Sequence, residues 1–108
     1  MKEFLNEVSL SHEEDFYKLE NVFDRMADRG PLTNEDVFKP LRNGFYEIKV
    51  GVLRVICFVR GNGIFCTHGF IKSSQRTPVE QIKTANWIRA DYYLEYPQGN
   101  APVVEDEP

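Results

Sequence analysis

The stretch Gly44–Pro78, GFYEIKVGVLRVICFVRGNGIFCTHGFIKSSQRTP, decides the fold. It holds three consecutive runs rich in Val, Ile, Phe and Tyr, divided by glycines and followed by a polar, basic segment. In Phe45-Tyr46-Glu47-Ile48-Lys49-Val50 the residue types alternate, with Glu47 and Lys49 on one face and Tyr46, Ile48 and Val50 on the other. Val52 to Val59 and Ile64 to Ile71 are almost wholly apolar, which predicts central strands covered by helices on at least one face. Gly51 and Gly61-Asn62-Gly63 supply two tight turns. Neither connection is long enough for a parallel crossover, so a three-stranded antiparallel meander is expected.

Helical signals flank this meander. Met1 to Val8 suits a short helix, and Ser11 with Glu14 reads as a capping box opening a second one. Phe16, Leu19, Val22, Phe23 and Met26 then recur at helical spacing, and Gly30-Pro31 ends the run. The acids Glu13, Glu14, Asp15, Asp24 and Asp28 fall on the solvated side of that helix. Thr33 to Asp36 suggests one helical turn, and Lys39 to Gly44 a loop leading into the sheet. Downstream, Thr77, Pro78 and Glu80 mark a helix start, with Ile82, Ala85, Ile88 or Arg89, and Tyr92 as its inward stripe. Residues 97–108 shift to Pro, Gly, Asn and acids, the composition of a disordered acidic tail. The expected organisation is an α+β domain over 1–96, with N-terminal helices packed on the three strands and a C-terminal helix closing them.

With 108 residues there is room for a single core. No apolar run approaches the ~20 residues of a membrane helix, and MKEFLNEVSL lacks the pattern of a signal peptide, so a cytoplasmic location is expected. Net charge is −4, yet Lys39 to Arg89 holds nine of the thirteen Lys and Arg residues against two acids, Glu47 and Glu80. That asymmetry allows a cationic patch on an acidic protein. Cys57 and Cys66 should face each other across the second hairpin as free thiols, because a reducing compartment disfavours a disulfide. No Cys or His pair has zinc spacing, no phosphate loop follows a strand, and no nucleophile triad is evident. Neither metal nor cofactor is expected. His68, alone in a strand, reads as a structural histidine.

The unabsorbed feature is a set of cations. Arg54 stands inside Val52-Leu53-Arg54-Val55-Ile56, where a charge is costly unless it reaches solvent or an anion. Lys72 ends the next strand, and alternation can bring both to one sheet face. Lys39, Arg42, Arg76 and Lys83 lie in the adjoining basic segments. Cations so placed suit a phosphodiester, whose non-bridging oxygens gain charge during displacement.

The runs LRNGFYEIKV, LRVICFVR and HGFIKSSQRTPVEQIKTA carry a resemblance. Together they resemble the phage-derived, HigB-like branch of the RelE/ParE toxin superfamily. Gly69 to Pro78 is similar to that branch's most recognisable motif, a phenylalanine followed by lysines, then Gln, a basic residue, Thr and Pro. The resemblance implies the toxin of a type II toxin–antitoxin pair. Such a toxin cleaves mRNA on the ribosome without metal, by attack of a ribose 2′-OH on the adjacent phosphate, and is neutralised by a helix-turn-helix antitoxin. Arg54 and Lys72 occupy the positions matching the family's strand cations. They and Tyr92 would then be catalytic, with Arg76, Lys39, Arg42 and Lys83 gripping RNA. Ser73 stands where the motif usually has its second lysine. That difference and the acid surplus keep a second reading open, a non-catalytic relative that binds gyrase or titrates an antitoxin.

Overall fold

The computed structural model describes residues 1–30, 34–61, 63–72 and 78–96. Two helices come first, α1 (Lys2–Ser11) and α2 (Glu13–Arg29), then the strands β1 (Phe38–Pro40), β2 (Phe45–Val50), β3 (Leu53–Arg60) and β4 (Gly63–Ile71), and finally α3 (Val79–Glu95). The strands form one antiparallel sheet in the order β1-β2-β3-β4. The α+β architecture expected from the sequence is present, and the sheet has one strand more than the meander. Lys39-Pro40, expected as loop, pairs with Glu47 and Tyr46 as a short edge strand. An edge is where a sheet tolerates proline, since the missing N–H removes no central ladder bond.

Both faces of the sheet are covered. Leu19, Val22 and Met26 of α2 and Val8 of α1 pack on Ile48, Val50, Leu53, Val55 and Cys57. Each such aliphatic side chain, fully buried, contributes about 1.5–3 kcal/mol. On the other face Ile82 and Ala85 of α3 meet Phe45, Ile56 and Phe58. Arg89 closes the edge of this second cluster, its guanidinium 4.1 Å from the Phe45 ring centroid and its Nη1 donating to Asn43 O at 2.7 Å. Arg89 thus belongs to the inward stripe as a stacked cation.

The joint between α1 and α2 differs from the capping box read in the sequence. A single residue, His12, separates the helices and takes the N-cap position of α2. Ser11 remains inside the last turn of α1, where its hydroxyl donates to Glu7 O at 3.0 Å. Short polar side chains within a helix commonly bond back in this way. Before β1, the helical turn expected around Thr33 to Asp36 is a hydrogen-bonded turn in its described part. There Asn34 Oδ1 accepts from Asp36 N at 2.9 Å, and Asn34 O accepts from both Val37 N and Phe38 N. Helix α3 starts one residue later than the sequence suggests, with Pro78 in the N-cap position. Thr33, Thr77 and the tail expected over 97–108 lie outside the described residues.

Strand β4 carries one residue too many. Ile56 pairs with His68 but Cys57 pairs with Cys66, so Thr67 is an extra residue between them, a β-bulge. The buried Thr67 hydroxyl donates to Ile56 O at 3.0 Å. The bulge reverses the alternation of the strand: Ile64 packs with the α1–α2 side, whereas Phe70 packs with the α3 side. Gly69, past the bulge, lets the Phe4 ring of α1 lie directly on the strand, and a Cβ there would overlap the ring. Replacing Gly69 by Ala should therefore push α1 off the sheet and cost about 1–3 kcal/mol. A lowered urea midpoint with an unchanged slope would register that loss.

Candidate functional site

Register fixes which polar residues share the α3 side of the sheet. Lys39 pairs with Glu47, Lys49 with Arg54, Arg54 with Phe70, and Glu47 and His68 each with Ile56. Directly paired residues point to the same face. Lys39, Glu47, Lys49, Arg54, His68 and Phe70 therefore stand on one face, and Lys72 is next in the alternation. Helix α3 covers the aromatic half of this face, built on Phe45, Ile56 and Phe58. The charged half lies toward the turn between β2 and β3.

Arg54 is the centre of the charged half. It is 7% exposed, and its Nη1 donates to Gly51 O at 2.7 Å and to Leu53 O at 2.8 Å. Its Nε lies 3.9 Å from Oε1 of Glu47, which is itself 5% exposed. The pair answers the cost of threading a cation through an apolar strand: a buried carboxylate on the next strand neutralises it, and carbonyls fix its plane. Lys72 is tied through its backbone, donating its N–H to Val52 O at 2.7 Å. The β2–β3 turn thus touches both cations that the sequence singled out.

His68 links this face to α3. Gln81 Oε1 lies 2.7 Å from its Nε2, so Nε2 donates to the amide oxygen. The Thr67 hydroxyl has one proton for two acceptors, Ile56 O and His68 Nδ1, each at 3.0 Å. Burial lowers the His68 pKa, and the Gln81 bond opposes that shift only in part. Cys57 and Cys66 oppose each other across β3 and β4 as free thiols, and burial pushes the Cys57 thiol up.

A family model described as "Phage derived protein Gp49-like" matches residues 3–89. The chain belongs to this family. Gp49-like proteins fall within the RelE/HigB-like toxin group and are associated with toxin–antitoxin systems, which implies an antitoxin partner. Neither a curated protein nor a solved structure matches the chain.

In this Gp49-like chain the sequence-derived candidates fall into separate places. Arg54 and Lys39 share the charged half-face described above, and Lys72 follows directly after β4, its N–H bonded to Val52 O. Tyr92 does not join them, because it packs on Phe58 and Phe65 with ring centroids 5.6 and 4.9 Å away. Phe58 is four residues beyond Arg54 along β3, about 13 Å at strand rise. Arg42 lies in the short 3-10 turn before β2, and Lys83 is exposed on α3. Arg76 lies outside the described residues. Among the described residues no group of three or more His, Cys, Asp and Glu could hold a metal ion, and no helix is long and apolar enough to cross a membrane.

Two residues of the Gp49-like site escaped the sequence reading. Glu47 alternates with apolar residues and so reads as solvent-facing, yet it is buried beside Arg54. The signal available was the one acid of the hairpin, Glu47, on the strand next to Arg54. Asp15 reads as part of a wet acidic turn, but its Oδ2 accepts from Val52 N at 3.1 Å, across 37 positions of chain. No local pattern reports such a contact.

Replacing Glu47 by Ala would leave Arg54 as a buried unpaired charge and should cost about 3 kcal/mol in urea unfolding. The depressed pKa of His68 has its own signature. The unfolded chain takes up that proton near pH 6.5, the folded chain only at lower pH. Stability should be fully present above that value and decline as pH falls below it. His68→Gln should flatten the decline relative to wild type when urea midpoints are followed across the same range.

Proposed function

We propose that this protein is the toxin of a type II toxin–antitoxin pair and cuts mRNA on the ribosome. The observation that carries the reading is Arg54, anchored by two carbonyls in a central strand, on the face that also bears Lys39 and Lys49, with Lys72 next in the alternation of β4. The reaction class is transesterification: the ribose 2′-hydroxyl gives its proton to water as its oxygen attacks the adjacent phosphorus. The bond to the 5′-oxygen breaks and that oxygen takes a proton from water, leaving a 2′,3′-cyclic phosphate and a 5′-hydroxyl with no net change in protons. Negative charge grows on the non-bridging oxygens as the phosphorus becomes five-coordinate. A guanidinium already oriented by backbone carbonyls stabilises that charge without having to reorganise. Lys39, Lys49, Lys72 and Arg76 would contact neighbouring phosphates, fixing the register of the message and making binding salt-dependent. Charge stabilisation by Arg54 and grip by the lysines involve no metal in this scheme. The helix-turn-helix antitoxin implied by the resemblance would neutralise the toxin.

One observation favours a second reading. Arg54 is nearly enclosed and its charge is already matched by Glu47. A cation so engaged suits a structural role, and with it a non-catalytic protein that binds gyrase or titrates an antitoxin.

Mapping mRNA ends after incubation with translating ribosomes separates the two. The endonuclease reading expects discrete cuts, with Arg54→Ala slowing cleavage at least ~100-fold and Lys72→Ala weakening message binding while easing its salt dependence. Intact message at stoichiometric protein would overturn it, and inhibition of gyrase supercoiling would then support the binding reading.

A further inference from the structure

The carbonyl of Gly51 and the N–H of Val52 belong to one peptide group, and that group is engaged at both ends by charge. Asp15 Oδ2 accepts the Val52 N–H at 3.1 Å, and Arg54 Nη1 donates to the Gly51 carbonyl at 2.7 Å. The neighbouring carbonyl, Val52 O, receives the Lys72 N–H at 2.7 Å. Gly51 has φ +56, and the Asp15 carboxylate lies against its Cα so closely that a Cβ would overlap it. Helix α2 packs on the side of the sheet opposite to the Arg54 face. Its first turn therefore reaches past the end of the sheet to hold the turn on which both cations depend.

We propose that Asp15 is a positioning residue for Arg54 and Lys72, acting through the Gly51–Val52 peptide. The inference rests on reading those cations as the RNA-cleaving pair. An acid in the first turn of a helix is favourable in any protein, so position alone says nothing about Asp15. The long-range bond into this peptide is the distinguishing fact. A carboxylate accepting the N–H polarises the amide and makes its carbonyl a stronger acceptor for the guanidinium. The same bond fixes the turn's place, and with it the direction of the Val52 carbonyl that sets where β4 ends and Lys72 begins. Without the carboxylate, Arg54 keeps its bond to Leu53 O but loses the second fixed point that orients its plane.

The test follows Arg54 directly, in the full chain. Side-chain Nε–H signals of Arg54 are recorded by 1H–15N NMR in wild type, Asp15→Ala and Asp15→Asn, beside the kinetics of mRNA cleavage on ribosomes. Asp15→Ala should shift or broaden the Arg54 signal and lower kcat about tenfold with KM unchanged. Asp15→Asn, whose amide oxygen can still accept from Val52, should fall between, and it serves alone where the Ala variant does not fold. Asp24→Ala, an exposed acid elsewhere on α2, should change neither readout. An unmoved Arg54 signal in folded Asp15 variants would overturn the proposal, even if their urea midpoints fall. Should wild type fail to cut mRNA, the proposed function falls, and the Arg54 signal by itself decides the positioning claim.

Discussion

A sheet covered on both sides leaves a charged side chain on a central strand no easy route to water. That constraint governs this structure. Arg54 lies on β3, between β2 and β4, with α1 and α2 on one side and α3 on the other. Its charge has to be met from within the fold, and Glu47 and the carbonyls of Gly51 and Leu53 meet it. Replacing such a pair with well-packed apolar residues is often neutral or stabilising, so packing alone does not require the pair to exist. The physical argument for function starts there. A costly guanidinium, anchored by two carbonyls, shares its face of the sheet with Lys39 and Lys49.

The two halves of that face behave differently because their residues bind in different ways. The aromatic half, with Phe58, Phe65 and Tyr92, is held by rings at 4.9 to 5.6 Å, contacts that tolerate small adjustments. The charged half is held by hydrogen bonds of 2.7 to 3.1 Å, which are directional. His68 joins them, its Nδ1 3.0 Å from the Thr67 hydroxyl of the bulge and its Nε2 bonded to Gln81 in the first turns of α3. Any displacement of α3 is thereby transmitted to β4 two residues from Phe70, the direct partner of Arg54.

Local pattern carried much of this fold. Period-two alternation in β2, the apolar run of β3 and the helical stripe Leu19-Val22-Met26 each have the period of the element they form and appear as read. By contrast β4, expected from its apolar run to be central, is an edge strand whose residues are mostly half-buried. Parity alone could only allow Arg54 and Lys72 a common side, because the register of β4 against β3 depends on a bulge that no residue of β4 announces. What escaped notice depends on chain-distant geometry. Whether Glu47 is wet or buried turns on its neighbour Arg54 on the adjacent strand, and whether Asp15 is idle turns on a loop 37 positions away. Edge strand β1 was hidden by its own proline, which signals loop in a sequence and edge in a sheet. Tyr92 was legible as an inward residue of α3, but which end of the sheet it would reach was not.

The bulge at Thr67 makes chain length matter more than side-chain identity in this part of β4. Exchanging the threonine for another small residue forfeits one hydroxyl bond to Ile56. Removing the residue altogether would restore plain alternation and turn His68 and Phe70 toward the wrong helices, while Gly69 would leave its place beneath the Phe4 ring. Relatives of this protein are therefore expected to vary in which residue stands there, and to keep the count between Cys66 and His68 free of gaps.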